Sequence, residues 1–562
     1  MNKLLLLFLI LNSELCIYNS FAQTLTRGPY LQSPGQTSMI IRWRTDVASD
    51  SRVYYGSTLG STANVVDSTN VTTEHRVKIS GLSPATTYYY NIGSSTAMLG
   101  ETDSLMYFTT APDTTTSTPI RLWAIGDFGH GNEAQADVRD SYERFAENEG
   151  AANLWIWLGD NVYQDGTEEE YDAKVFDSVY GYKHLMKHLP FASTSGNHDY
   201  NSICPWEQPG FCSTHPDNHT GPYLNFIDPP TEGELGGVPS HRKLFYSFDY
   251  GDAHITVLNS ELGSLNSSYN WIGMLNSDTS FTSPMLEWLK ADLASTTKKW
   301  KIVIWHQTPY SGQDGFTDSF AQPFCVATRV HFNPIIERYG VDLVLLGHDH
   351  NYQRTYLING HYGNSNTFQP SMMLNGTSGN PDLGEYYYKY IDGPIKDKGT
   401  VYVVEGNSSA SNDPSPFEHP AIYWGEACAD CYGSFVVDIN GDRLDGRYLH
   451  YSDTIRDKFT IIKTDWAHAD VQEQNVSEIF KIYPNPNNGQ FTVEYTLTQK
   501  SKVSIEVLDI SGRVIYSQMA ANGTIGKHSE KLNITKDHIS AGTYFVKLGI
   551  DDVNRFGKIK VE

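Results

Sequence analysis

The rhythm of apolar and polar positions changes three times along the chain. Between residues 24 and 112, short stretches rich in β-branched and aromatic residues alternate with turn residues: Met39-Ile40-Ile41-Arg42-Trp43-Arg44, Val53-Tyr54-Tyr55-Gly56, His75-Arg76-Val77-Lys78-Ile79 and Tyr88-Tyr89-Tyr90-Asn91-Ile92. This spacing predicts a small β-sandwich with Trp43 in its core. Residues 113–119 are Thr-, Ser- and Pro-rich, as a boundary should be. Between 119 and 463 the pattern becomes apolar runs at 120–125, 154–158, 301–305 and 342–346, with helical composition at 133–149, 168–187, 284–293 and 330–339. Runs apolar throughout suit strands covered on both faces. Strands at 400–405, 434–438 and 443–451 follow, with Asn440-Gly441 as a hairpin turn. Together they predict a two-sheet α/β sandwich. A polar linker, 464–478, leads to a last β-rich unit at 479–562, the third domain of a multidomain chain.

The N-terminus reads as a leader. Lys3 precedes the apolar run 4–11, and Ser20-Phe21-Ala22 offers small residues for cleavage, so 1–22 is read as a signal peptide. Glu14 and Leu15 before Cys16 argue against lipoprotein processing. No later stretch is long enough for a membrane helix, so the mature chain is expected to be exported without a transmembrane segment. In an oxidising compartment Cys204–Cys212 and Cys428–Cys431 are the expected local pairs, leaving Cys325 free. The formal net charge of −24 opposes a nucleic-acid scaffold role. P-loop, HExxH and GxSxG motifs are missing. Asp438, Asn440 and Asp442 hint at a calcium loop, but Arg443 stands where Gly is required, so the hairpin reading is preferred.

Chemistry gathers where apolar runs end. Run 120–125 leads into Gly126-Asp127-Phe128-Gly129, 154–158 into Gly159-Asp160-Asn161-Val162-Tyr163, and 190–194 into Gly196-Asn197-His198-Asp199. Run 301–305 ends at His306, and 342–346 at Gly347-His348-Asp349-His350. Strand ends of an α/β sheet meet at one edge, where ligands bind. So many polar groups on that edge would be costly to bury without cations. The mixed oxygen and nitrogen donors suit iron, manganese or zinc better than calcium. A carboxylate bridging two ions would give a site that activates water and clamps a phosphoryl group.

These five blocks, in order, resemble the signature of the purple acid phosphatases, within the calcineurin-like metallophosphoesterase superfamily. The resemblance extends to Arg27-Gly28-Pro29-Tyr30-Leu31-Gln32, Gly81-Leu82-Ser83-Pro84-Ala85 and Phe108-Thr109-Thr110-Ala111-Pro112, similar to the fibronectin-III-like domain that precedes many of their catalytic domains. It implies that Asp127, Tyr163 and His350 hold trivalent iron, that Asn197, His306 and His348 hold a divalent ion (Fe, Zn or Mn), and that Asp160 bridges them. It further implies in-line attack of metal-bound hydroxide on a phosphomonoester, with His198 as acid and Asp199 orienting it. The adjacent histidines that plant relatives carry after the His306 block are missing, and Gln307-Thr308 precede Pro309, which leaves substrate preference open. Arg354, four residues after the last block, either contacts phosphate or braces its loop, and Tyr310, His215, His219 and His241 are further cleft candidates. Phe480-Lys481-Ile482-Tyr483-Pro484-Asn485-Pro486 and Ala541-Gly542-Thr543-Tyr544-Phe545-Val546-Lys547 resemble the C-terminal sorting domain of type IX secretion substrates, implying the secretion machinery as a partner and a secreted or cell-surface location. The rival readings are a phosphodiesterase or nucleotide hydrolase with two divalent metals, and a cell-surface adhesion protein.

Overall fold

The computed structural model describes residues 23–562 apart from 101–102, 114–116, 178, 201–220, 262–282, 313–315, 319–321, 412–418, 427–429, 467–479, 498–499, 510–512, 535–538 and 551–552. The expected leader, His215, His219 and the Cys204–Cys212 pair lie outside the described residues. So does Cys428; Cys431 is disulfide-bonded, and Cys325 is a buried free thiol.

At the N-terminal end β1 (Leu25–Gln32), β2 (Ser38–Gly56), β3 (Asn64–Ser80), β4 (Thr87–Gly93) and β5 (Tyr107–Thr109) form one hydrogen-bonded sheet. The pieces 39–44 and 53–56, expected as two strands, belong to the single 19-residue β2. β1 pairs with its first half, β4 with its second, and β3 with both. The β2–β3 register shifts between Arg44 and Ser51, where bulges let long strands bend. The bent sheet closes on a core that includes Leu31, Ile41, Trp43, Val53, Ile79 and Phe108.

The central region follows in the order β6 (Ile120–Ile125), α1 (Glu133–Glu149), β7 (Leu154–Leu158), β8 (Phe191–Thr194), β9 (Tyr246–Tyr250), β10 (Ala253–Val257), α2 (Pro284–Ser295), β11 (Trp300–Ile304), α3 (Asn333–Arg338) and β12 (Leu343–Leu346). Then come β13 (Tyr352–Thr355), β14 (Tyr387–Tyr390), β15 (Val401–Glu405), β16 (Ile422–Gly425), β17 (Gly433–Asn440), β18 (Arg443–His450) and β19 (Thr454–Thr464). They build two seven-stranded sheets, β14-β19-β18-β17-β6-β7-β8 and β16-β13-β15-β12-β11-β10-β9. In the first, β6, β7 and β8 run parallel; in the second, β10, β11, β12 and β15 do.

Alternate residues serve different layers. Leu122, Ala124, Ile156, Ile302, Leu343 and Val403 pack between the sheets. Trp123 and Trp155 turn outward into a cluster with Tyr142 of α1, and Val303 and Val344 into one with Leu286 of α2 and Ile336 of α3. Helices on both outer faces explain why these strands are apolar throughout. One expected helix is not formed as such: 168–187 yields a helical turn at Glu168–Glu170, a π-helix at Tyr171–Val175 and a 3-10 turn at Leu185–Lys187. Side chains of α1 hold the chain open between them, Arg139 donating to the carbonyls of Val179 and Gly181, and Gln135 to those of Lys174 and Tyr180.

The C-terminal unit has a three-stranded and a four-stranded sheet around one core, with Val493, Ile505, Val546 and Leu548 inside. Among the described residues no helix is long and apolar enough to cross a membrane.

Candidate metal centre

Every block singled out in the sequence sits at the carboxyl end of a parallel strand. Asp127 follows β6, Asp160 and Tyr163 follow β7, Asn197 follows β8, His306 follows β11, and His348 and His350 follow β12. The two sheets therefore bring their ends to one edge. Asp127, Asp160 and His348 adopt left-handed φ values of 54°, 46° and 74°, a region that Asp and His enter more readily than most residues. Gly159 is left-handed too, and a Cβ there would lie 2.6 Å from the His306 ring. A Cβ on Gly196 would lie 2.2 Å from Asp160 Oδ1, so these glycines are required by close approach.

The donor atoms form two triangles. The Tyr163 hydroxyl lies 2.9 Å from Asp127 Oδ1 and 3.1 Å from His350 Nε2, and those two atoms are 3.3 Å apart. Asn197 Oδ1 lies 3.2 Å from His306 Nε2 and 3.1 Å from His348 Nδ1. Asp160 Oδ2 stands between the groups, 3.1 Å from the Tyr163 hydroxyl and 3.3 Å from His306 Nε2. Asp127, Asp160 and His306 are buried and present atoms within 4.8 Å of one another, an arrangement able to hold a metal ion.

Neighbouring groups aim the imidazoles. His306 Nδ1 donates to the Leu158 carbonyl at 2.9 Å, which leaves Nε2 free to face the other donors. His348 Nε2 lies 3.2 Å from Gln322 Oε1, so its Nδ1 is the atom turned to Asn197. His198 Nδ1 meets the Gln164 carbonyl at 2.7 Å, while its Nε2 is 4.0 Å from Asp160 Oδ2.

The electrostatics are those of a concentrated anionic site. Burial opposes the charge of Asp160, but His306 and His198 hold its carboxyl well below the usual carboxylate range. Burial opposes a proton on His306 as well, yet Asp160 and Asp127 push its pKa up to about 10. Burial, then the two carboxylates, push the Tyr163 phenol well above its ordinary value. The carboxylates thus keep protons on the neighbouring imidazole and phenol, a concentration of negative charge that a bound cation would relieve.

Several expectations change. Asp199 does not orient His198: it is buried, accepting from Gly196 N, Asn161 Nδ2 and the Tyr171 hydroxyl. Burial and Asp160 push its pKa up to about 7. Of the two readings of Arg354, the bracing one is supported: it is buried in an ion pair with Asp457 and bonds to Tyr387 and the Ser378 carbonyl. The Tyr310 hydroxyl is buried between Asn333 and the His361 carbonyl. His241 is exposed, paired with Glu232.

Residues missed in the sequence include His130, whose ring stacks on that of Tyr163 at 3.9 Å. Gln307, read in the sequence only as part of the loop before Pro309, reaches the site: its Nε2 lies 3.3 Å from Asn197 Oδ1 and 3.2 Å from Glu261 Oε1. Two strand ends carried the same signal as the other five. Asn259-Ser260-Glu261 follows β10, with Ser260 Oγ accepting from Gln307 N. Gly406-Asn407-Ser408-Ser409 follows β15, with Ser409 Oγ donating to the Asp127 carbonyl at 2.9 Å.

Known proteins resemble this chain in three stretches. Residues 120–352 match the calcineurin-like phosphoesterase family, 27–110 the purple acid phosphatase N-terminal domain, and 481–562 a secretion system C-terminal sorting domain. Acid phosphatase A of Cryphonectria parasitica is 26% identical over 373 residues, 56% of this chain and 71% of that protein. The Fe(3+)-Zn(2+) purple acid phosphatase 12 of Arabidopsis thaliana is 25% identical over 285 residues, 50% of this chain and 52% of that protein, so the chain spans about half of that relative. The purple acid phosphatase PPD1 from yellow lupin (Lupinus luteus) seeds shares the fold, with a TM-score of 0.57 at 19% identity over 78% of this chain and 75% of that one. The chain thus carries a calcineurin-like phosphoesterase domain preceded by a purple acid phosphatase N-terminal domain, and acid phosphatases are among its relatives.

Proposed function

We propose that the chain is a binuclear metal-dependent acid phosphatase that hydrolyses phosphomonoesters outside the cell. The position of Asp160 Oδ2 carries this reading, since it stands between the two donor triangles, 3.1 Å from the Tyr163 hydroxyl of one and 3.3 Å from His306 Nε2 of the other. Ligand distances of about 2.0–2.2 Å give octahedral edges near 3 Å, and the donor separations of 2.9–3.3 Å fit that size. Asp127, Tyr163 and His350 would hold one ion, Asn197, His306 and His348 the other, and Asp160 both.

The phenolate of Tyr163 favours iron(III) on its side, and the Fe(3+)-Zn(2+) description of the Arabidopsis relative supports a mixed pair. When bound, such a pair supplies water activation and charge neutralisation for an in-line phosphoryl displacement. The protein's part is to orient and to move a proton. The Leu158 carbonyl and Gln322 fix the imidazole faces of His306 and His348. Asn197 contributes an oxygen without charge, which leaves its ion more electrophilic than Asp would. His198, held by Gln164, directs Nε2 toward the site, where a proton can pass to the leaving alkoxide. The sorting-domain match supports export and a secreted or cell-surface location, and a leader at 1–22 would begin that route.

Rates on an aryl phosphomonoester, a bis-aryl phosphodiester and a nucleoside triphosphate test the reading. The monoester should be fastest. A preferred diester or nucleotide would move the assignment to the two-divalent-metal alternative.

A further inference from the structure

We propose that Arg27, in the N-terminal sheet, is a positioning residue for the hydrolytic centre, clamping the segment 167–176 that holds the backbones of Tyr163 and Gln164. Arg27 is 2% exposed. Its Nε donates to Asp172 Oδ1 at 2.6 Å and its Nη2 to Glu168 Oε1 at 2.9 Å. The guanidinium also lies 4.4 Å from the Phe226 ring centroid. Arg44 joins the same Glu168 from β2. Glu74 lies 3.8 Å from Arg27 Nη1, and a buried guanidinium hydrogen-bonded to two carboxylates is a costly group to leave half-paired, so the segment is held strongly at this point.

The segment passes that constraint to the site through three side chains. Glu170 accepts from the backbone amides of Gln164, Asp165 and Thr167 at 2.5, 3.0 and 3.2 Å. Lys174 pairs with Glu170 and donates to the carbonyl of Tyr163. The Tyr171 hydroxyl donates to Asp199, which in turn accepts from Gly196 N beside Asn197. The Gln164 carbonyl, fixed by this arrangement, is the acceptor for His198 Nδ1. Residues 171–175 are π-helical, a geometry often found where side chains must be aimed at a functional site. The N-terminal domain is thereby part of the catalytic scaffold.

A second contact between the same two domains supplies the control. Arg76 pairs with Asp228 at 2.6 Å, away from segment 167–176. Arg27→Gln, Arg27→Lys and Arg76→Gln in the full chain are compared by amide hydrogen exchange and steady-state kinetics. Arg27→Gln should speed exchange at Gln164, Asp165 and Thr167 by about tenfold or more. It should also lower kcat by about tenfold with KM little changed. Arg27→Lys should recover part of both effects, and Arg76→Gln should leave both at wild-type values. Adding Asp172→Asn to Arg27→Gln should cost little more, since both remove one interaction. If Arg27→Gln does not fold, Glu168→Gln removes a single partner and should show the same pattern more weakly. Unchanged exchange and kcat in Arg27→Gln, or equal losses in Arg76→Gln, would overturn the proposal. The kinetic arm rests on the phosphatase reading and the exchange arm does not, so an inactive wild-type protein would refute that reading while exchange still decides this one.

Discussion

His198 holds its Nδ1 2.7 Å from the carbonyl oxygen of Gln164. A carbonyl only accepts, so this contact puts a proton on Nδ1 and leaves Nε2 as the atom facing the site. Proton delivery matters most when the leaving group is a strong base. His198→Ala should lower kcat by about 10²–10³ on an alkyl phosphate and much less on p-nitrophenyl phosphate, with metal content unchanged. Equal losses on the two esters would assign His198 to phosphate positioning instead.

Asp160 Oδ2 touches both donor triangles, whereas His350 Nε2 belongs to one. Asp160→Ala should therefore bring the metal content below one ion per chain and abolish turnover. His350→Ala should weaken one site and leave the other filled. Metal analysis after dialysis distinguishes the variants, and full activity in Asp160→Ala would remove the proposed mechanism.

Much of this centre was legible because strand-end chemistry is local. A covered strand is apolar along its length, and the first polar residues after it must sit at the sheet edge, so Asp127, Asp160, Asn197, His306 and His348 could be placed from pattern alone. Glu261 and Ser409 carried the same signal but lay outside the recognised blocks. The partners of His198, Arg354 and Asp199 were not legible, because each depends on which side chain the packing turns inward. Asp199 is adjacent to His198 in the chain, yet its hydrogen bonds go to Asn161, Gly196 and Tyr171. The segment 168–187 misled for a related reason: its helical composition is overridden by hydrogen bonds from α1 to its turn carbonyls. The two pieces of β2 were separated by polar residues that a long edge-to-edge strand tolerates.

The Tyr163 phenol is buried against Asp127 and Asp160, which hold its proton on; a strong Lewis acid bound to the oxygen would displace it. Purified protein should show a violet band that shifts on mild reduction and vanishes in Tyr163→Phe, with about two metals per chain. A colourless protein with two zinc or manganese ions would retain the phosphoesterase reading and exclude iron(III).

His254 offers a prediction independent of any metal. Its ring is fully buried, with Nδ1 2.8 Å from Asp249 Oδ1 and Nε2 2.9 Å from Asp292 Oδ2. Burial alone would push the imidazole down, but the two carboxylates outweigh it and raise its pKa from 6.5 to about 9. Because the folded value lies above the unfolded one, the stabilisation is fully present below about pH 6.5 and disappears as pH rises through 9. A shift of this size corresponds to roughly 3 kcal/mol. His254→Gln should lower Tm clearly at pH 6, and the gap to wild type should narrow by pH 9.5, which melts at pH 6, 8 and 9.5 would measure. A gap that stays constant across that range would mean the ring contributes by packing, with no charge on it in the folded protein.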